Sequence, residues 1–327
     1  MTILVTGSSG HLGEALVRVL QERGKEVVGL DIAEGPYTTH TGSVVDRPFV
    51  KNCMAGVTAV FHAATLHKPH VATHARQEFI DTNITGTLNL LETAAAAEVR
   101  SFIYTSTTSV FGDALIPPDD EPAAWITEDV RPIPKNIYGV TKAAAEDLCQ
   151  LFNRNQGLAT MVLRTSRFFP EEDDNRSVRD GFADENIKLN EFLYRRADIE
   201  DIVSAHLLAA EKAPELGFRR YIISATTPFT PDDLPDLRHD APRAVQRHVP
   251  EYEQEFERRG WRMLESIDRV YVNERARIEL GWQPRYDFRF LIERLAAGKD
   301  MRSPLAQLIG SKGYHAESFS EGPYPVE

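Results

Sequence analysis

The chain reads as an α/β protein built on a doubly wound parallel sheet, and three observations predict it. The first is a strand-length apolar run, Thr2-Ile-Leu-Val-Thr6, that meets glycines at positions 7, 10 and 13 and passes at once into a helical pattern carried by Leu12, Leu16, Val19 and Leu20. The second is Asp31 at the end of the next strand, Glu26-Val-Val-Gly-Leu-Asp31. The third is the alternation of strands and helices from Met1 to about Leu163, the pattern of a parallel sheet with crossover helices.

Taken in order, strands are expected near 2–6, 26–31, 57–62, 101–106 and 159–164, with a weaker one near 38–44. Helices fill the gaps at 11–23, 76–97 and 137–155, the second ending in an alanine-rich run of good helix propensity. After Arg164 the pattern breaks. Residues 166–190 are polar, with an acidic run Glu171-Glu-Asp-Asp174 and scattered arginines, and read as a loop or small insertion. The α/β pattern returns with a helix at 198–212 and a strand at 219–224. Short helices follow in 227–299, and the segment Asp268 to Pro284 closes a helix with Gly281 and then Pro284, the usual stopping order. No internal repeat is present. The expected organisation is a core of 1–165 plus 197–226, a small lobe of 166–196 plus 227–299, and an irregular C-terminal tail at 300–327.

Composition narrows the functional classes. At 327 residues, 42% hydrophobic and 26% charged, the chain can bury a sizeable core. A net charge of −12 gives it no electrostatic reason to seek nucleic acid or an anionic membrane, so an anionic ligand must be held by local arginines or helix ends. Two cysteines, Cys53 and Cys149, make neither a disulfide framework nor a metal cluster and suit a reducing, cytoplasmic setting. The start, Met-Thr-Ile-Leu, lacks a basic leader region and reads as a first strand, not a signal peptide; no apolar stretch reaches the roughly 18 residues that span a bilayer.

The opening turn carries the first chemistry. Glycine accepts dihedrals closed to other residues and lets backbone approach a ligand, while the N–H groups and positive dipole end of the new helix attract a pyrophosphate. A strand before the turn, a helix after it and Asp31 beyond make this a dinucleotide site lined by Gly7, Ser9, Gly10, His11, Leu12 and Gly13. The second constellation is Tyr138-Gly-Val-Thr-Lys142, whose i,i+4 spacing puts phenol and ammonium on one helix face. A nearby cation favours the phenolate that a base needs. This helix follows a strand ending in hydroxyls, Tyr104-Thr-Ser-Thr-Thr-Ser109, and ligands bind at the carboxyl ends of such strands, so both groups are expected to face the crevice of the glycine turn.

With these residues the chain resembles the extended short-chain dehydrogenases/reductases of the NAD-dependent epimerase/dehydratase group, which have a Rossmann-type sheet and a small substrate lobe. The matching segments are Thr6-Gly-Ser-Ser-Gly-His-Leu-Gly13, Phe61-His-Ala-Ala64, Asn83-Ile-Thr-Gly-Thr-Leu-Asn-Leu-Leu91, Thr107-Thr-Ser-Val-Phe-Gly112, Tyr138 to Lys142, and Ala276-Arg-Ile-Glu-Leu-Gly-Trp-Gln-Pro284. The resemblance implies Tyr138 as general acid/base, Lys142 holding the nicotinamide ribose and lowering the tyrosine pKa, and Thr107 bonding the reacting oxygen. It places Ser106, Ala63 and Ala64 against the cofactor, and Asp31 on the adenosine ribose hydroxyls. A carboxylate there, with Ile32-Ala33 offering no arginine, predicts NAD over NADP.

Several positions depart from the family. Its Gly-Asp-x-x-Asp after the third strand is Gly42-Ser-Val-Val-Asp46 here, which leaves Asp46 as the weaker candidate for an adenine contact. Phe111 replaces a tyrosine, and Arg164-Thr-Ser-Arg167 stands where Arg-x-x-Asn is usual. Thr108-Ser109 in place of Asp-Glu argues against dehydration and leaves Thr108 as a substrate contact. The insertion is short for a clasp on a nucleoside diphosphate. His67 and His70, in a loop that overhangs the nicotinamide in the family, are expected at the substrate; the spacing of the histidines around them suits no metal site. Arg167 first, then Arg176, Arg179 and Arg196, are candidates to grip a substrate anion. Two enzyme readings stay open: an epimerase or dehydrogenase acting on a sugar or sugar derivative, and a dehydrogenase/carbonyl reductase of a small acid, lactone or alcohol. A non-catalytic NAD-binding protein is the third. By resemblance the chain is expected to form a homodimer through the helices at 78–97 and 137–155.

Overall fold

The computed structural model describes residues 2–313 together with His315 and Phe319. Through the first half run β1 (Thr2–Thr6), α1 (His11–Glu22), β2 (Glu26–Asp31), β3 (His40–Thr41), α2 (Arg47–Cys53), β4 (Val57–His62), α3 (Arg76–Phe79), α4 (Gly86–Ala96), β5 (Ser101–Thr107), β6 (Ala124–Ile126) and α5 (Ile137–Gln156). After them come β7 (Thr160–Thr165), α6 (Arg176–Gly181), α7 (Asp184–Glu191), α8 (Ile199–Leu216), β8 (Phe218–Ile223), α9 (Leu234–His239), α10 (Ala241–His248), α11 (Tyr252–Arg259), β9 (Arg269–Tyr271), α12 (Glu274–Leu280), α13 (Phe288–Ala296) and α14 (Pro304–Ile309). Seven strands form one sheet in the order β3-β2-β1-β4-β5-β7-β8, every pair parallel. The chain steps outward through β2 and β3 and crosses back to β4, so the strand order switches beside β1 and opens a crevice at the carboxyl ends.

Both faces of the sheet are covered. Leu16 of α1, Ile202 of α8, Leu280 of α12 and Ile309 of α14 pack with Val5, Phe61 and Leu163 on one side. Val50 of α2, Leu91 of α4 and Cys149 of α5 pack with Leu4, Val60 and Val162 on the other. Two covered faces explain why β7 is buried at every position, its polar Thr160, Arg164 and Thr165 included. A separate core joins Leu189, Leu193 and Tyr194 with Leu237, Val245, Phe256 and Phe288, and takes in Ala123 ahead of α5. A two-stranded parallel sheet of β6 and β9 is associated with that region.

The differences from expectation have local causes. The weak strand at 38–44 shrinks to two residues, both exposed at the sheet edge, where no buried face rewards longer pairing. The helix expected over 76–97 is split by a π-turn at Ile80–Thr85 that carries Asn83, 1% exposed, into the interior. Asn83 donates to the Leu66 carbonyl and Thr141 Oγ1 while its Oδ1 accepts from Leu66 N, fastening the loop after β4 to α5. The polar stretch 166–190 holds α6 and the start of α7, and the tail at 300–327 opens with α14, capped by Ser303. Among the described residues no helix is long and apolar enough to cross a membrane.

Candidate active site

At the glycine turn, backbone approach sets the geometry. Gly7 has φ +74°, and a Cβ there would lie 2.8 Å from Ala64 N; a Cβ on Gly13 would lie 1.8 Å from Gly7 O. Only glycines let β1, α1 and the Ala63-Ala64 segment converge. Gly10 starts α1 with no side-chain cap, so the first-turn N–H groups are left to the cleft. Asp31 is fixed at the rim, its Oδ2 accepting from Ser9 N and its Oδ1 from Ala33 N, both at 2.9 Å. An uncapped helix start, a wall of glycine and alanine, and a carboxylate at the end of β2 fit a dinucleotide: Gly7, Ser9, Gly10, His11, Leu12 and Gly13 would hold its pyrophosphate and Asp31 its ribose.

Across the cleft, Asn136 caps α5 by accepting from Gly139 N, which sets Tyr138 in the first turn and Lys142 one turn on. Tyr138 is 6% exposed. Burial pushes its phenol up to about 12, and a hydrogen bond with Thr107 pulls in the other direction. Lys142 donates to the Thr105 carbonyl at 2.7 Å and lies 4.1 Å over the Tyr104 ring. Burial brings it down to about 7 against the upward pull of the Glu146 carboxylate. Glu146 lies four residues beyond Lys142 and is 2% exposed; it accepts from Ser106 Oγ at 2.6 Å, from Arg164 through two nitrogens, and from Arg220. Ser106 is thus held by Glu146, which leaves Thr107 as the hydroxyl beside Tyr138.

The remaining wall comes from the loops after β4 and β7. The His67 ring lies 6.1 Å from that of Tyr138 and 6.1 Å from that of His70. Burial, then the neighbouring His70 and Lys142, hold His67 down at about 3, so it is a neutral imidazole at physiological pH. Arg167 donates to Asp173 at 2.7 Å and Glu191 at 3.1 Å; Arg195 pairs with Glu191 at 2.8 Å; Lys68 reaches Asp174 at 2.6 Å. Burial opposes the Glu191 charge, but Arg196, Arg195 and Arg167 outweigh it and hold the carboxyl at about 2.

One cleft of about 1000 Å³ gathers the expected residues: Gly7, Ser9, Gly10, His11, Leu12, Gly13, Asp31, Ala63, Ala64, His67, His70, Ser106, Thr107, Thr108, Tyr138, Lys142 and Arg167. Four candidates, Asp46, Arg196, Arg176 and Arg179, fall outside it. Asp46 caps α2 instead, accepting from Phe49 N, and its carboxylate serves that helix start. Arg196 is 4% exposed, bonded to Glu191 and the Phe169 carbonyl, and lines a separate smaller cavity. Of the other arginines, Arg176 pairs with Asp180 on the surface and Arg179 donates to the Asp173 carbonyl. Sequence reasoning also missed Asn83 and Glu146, although Glu146 continues the i,i+4 series of Tyr138 and Lys142 and was open to that signal. Arg195, Arg269, Lys312 and Gly313 line the cleft as well, brought there by long-range folding that no local pattern announces. Among the described residues no group of three or more His, Cys, Asp or Glu could hold a metal ion.

Known proteins carry the same architecture. The profile of the NAD dependent epimerase/dehydratase family matches residues 3–223. A 3-beta-hydroxysteroid dehydrogenase of Mycolicibacterium neoaurum is 26% identical over 87% of this chain and 87% of its own length. A UDP-glucose 4-epimerase of Erwinia amylovora is 30% identical over 50% of this chain and 52% of its own. A solved short-chain dehydrogenase/reductase superfamily protein from Agrobacterium tumefaciens with bound NAD superposes with a TM-score of 0.63 at 23% identity, covering 91% of this chain and 96% of that one, which establishes the shared fold.

Proposed function

Because the chain belongs to the NAD-dependent epimerase/dehydratase family, we propose that it moves a hydride between NAD and a secondary alcohol of a sugar or sugar derivative, with Tyr138 as acid/base. The observation that carries this reading is the shared cleft, on which Tyr138, Lys142, Thr107 and the uncapped start of α1 all open. NAD, when bound, supplies a hydride acceptor at C4 of its nicotinamide. Tyr138 takes the hydroxyl proton as the carbinol C–H is lost, and Thr107 bonds the same oxygen and orients it. A charged Lys142 lowers the energy of the phenolate. Its position near 7 makes that help available around neutral pH. His67 and Thr108, neutral polar groups on the cleft wall, are suited to hold further substrate hydroxyls.

A second reading, a dehydrogenase of a less polar, non-nucleotide alcohol, is favoured by one specific observation. The arginines at the lobe end are already matched by Asp173, Asp174 and Glu191, which leaves little free positive charge for a diphosphate. Screening sugars, uronates, sugar nucleotides and 3β-hydroxysteroids separates the two. Accumulating NADH marks net oxidation, whereas an epimerase returns the hydride. On whichever substrate responds, Tyr138→Phe is expected to lower kcat by about 10²–10⁴-fold with NAD affinity unchanged. Full activity in that variant would remove the acid/base assignment and favour a non-catalytic NAD-binding role. The exposed Ile80, Val140 and Leu151, along the helical region from the π-turn to α5, support a homodimer; a monomer mass by light scattering at micromolar concentration would refute it. Two buried free cysteines support a reducing compartment.

A further inference from the structure

The C-terminal segment crosses the mouth of the cleft. Immediately after α14, Ser311 Oγ donates to Glu171 Oε1 at 2.8 Å, and the backbone N–H groups of Lys312 and Gly313 donate to the same oxygen at 3.3 and 3.1 Å. Lys312 N also lies 3.0 Å from His11 Nε2, which itself faces Glu171 Oε1 at 3.1 Å, and the Lys312 ammonium meets Glu14 in the first turn of α1. Farther on, His315 Nε2 meets the Pro69 carbonyl at 3.0 Å and its ring lies 5.2 Å from that of His70. Three sides of the opening are therefore tied together: the glycine turn through His11 and Glu14, the loop after β7 through Glu171, and the loop after β4 through Pro69 and His70. Burial opposes the Glu171 charge, but bonds from His11 and Ser311 prevail and hold it at about 2, so the shared acceptor is a carboxylate at any ordinary pH.

Lys312 and Gly313 line the cleft, which keeps about 1000 Å³ with the segment in place. The segment is thus a roof and not a plug. It lies over His11, the residue that follows the N-cap of α1, where a pyrophosphate is expected; the Lys312 ammonium reaches the same helix start and pairs there with Glu14.

We propose that residues 311–313, with His315, are a strap that closes over the dinucleotide at its pyrophosphate and keeps it resident between turnovers, with Lys312 as a cofactor-retaining residue. The proposal rests on the NAD reading above and deepens it. A resident cofactor suits a reaction that returns its hydride and slows any reaction in which free NADH must leave, so the strap favours the epimerase arm.

The test is NADH dissociation, followed by loss of its fluorescence on displacement with excess NAD, in the full chain, in a chain ending at Gly310, and in the full-length variants Lys312→Pro and Glu171→Gln. Lys312→Pro deletes the N–H that donates to Glu171 together with the ammonium; Glu171→Gln keeps the shape and removes the charge. The expected result is dissociation at least about tenfold faster in the shortened chain and in Lys312→Pro, the weight of one hydrogen bond to a charged group, with a smaller increase in Glu171→Gln. Dissociation equal in all four proteins would overturn the strap while leaving NAD as the cofactor. Faster association with unchanged dissociation would overturn it in favour of a segment that obstructs entry. Failure of the full chain and every variant to bind NADH would overturn the cofactor reading itself, and the strap with it. Thermal unfolding of the NAD-free proteins is the control: full-length variants that melt with the parent exclude misfolding as the source of the faster rates.

Discussion

The glycine turn and the loop after β7 face each other across one cleft, but the first is held by backbone geometry and the second by charge. At the turn, Gly7 and Gly13 admit contacts that a single Cβ would forbid, and the ligand-facing groups are N–H groups of a helix start. Across from it, Arg167, Arg195 and Arg196 converge on Glu191, with Asp173 and Asp174 completing the set. Backbone geometry of this kind is set within one strand–turn–helix unit and so survives in sequence as a glycine spacing. A side-chain ion cluster can be assembled from many positions and leaves no such spacing. The difference explains why the glycine wall is recognisable in sequence and the charged wall facing it is not.

Breaking the charged wall should have the largest effect on stability. Glu191→Gln leaves three guanidinium groups around a neutral amide, and removing one partner of a buried ion cluster costs about 3–5 kcal/mol. The urea midpoint should fall by that equivalent while NAD still binds to whatever remains folded. An unchanged midpoint would mean that the arginines are held by the fold and not by Glu191.

Breaking the backbone wall should cost less stability but more binding. Gly13→Ala forces a Cβ into Gly7 O, an overpacking penalty of about 1–3 kcal/mol, and should abolish NADH binding measured by fluorescence titration. A variant that binds NADH normally would show that the turn has slack, and the contrast between the walls would weaken.

The smallest effect is the pH response, which has the same sign in two separate windows, stability rising with pH in each. Glu191 is held at about 2 against an ordinary 4.5, so its contribution is present above 4.5 and is lost as pH falls through 2. Lys142 is brought down to about 7 from 10.5; the unfolded chain binds more protons between those values, so stability rises with pH across that window. Urea midpoints from pH 2 to 10.5 check both limbs. Lys142→Met should flatten the alkaline limb alone, and Glu191→Gln the acid limb alone.

Much of the site was legible because its residues lie at short range from one another in sequence or end a strand. Gly7, Gly10 and Gly13 belong to one turn, Asp31 closes the next strand, and Tyr138 and Lys142 share a helix face, so strand order alone brings them to one edge of the sheet. Asp46 lies outside the cleft for a physical reason: an aspartate before Arg-Pro is also the signature of a helix cap, and here it caps α2. Arg196 lies outside the cleft because the charge of a surface-like sequence says nothing of burial, and folding placed it at 4% exposure against Glu191. The π-turn around Asn83 lay within an ordinary helical pattern and became visible only where Leu66 and Thr141 claimed its amide.

By itself the sequence determined the sheet, the dinucleotide turn and the Tyr138/Lys142 pair, because each depends on local dihedrals and on periodic burial that neighbouring residues enforce. Tertiary structure alone decided which charges cancel and what covers the cleft. Glu171 meets Lys312 across a sequence separation of 141, and only the folded protein brings such distant groups within hydrogen-bonding reach.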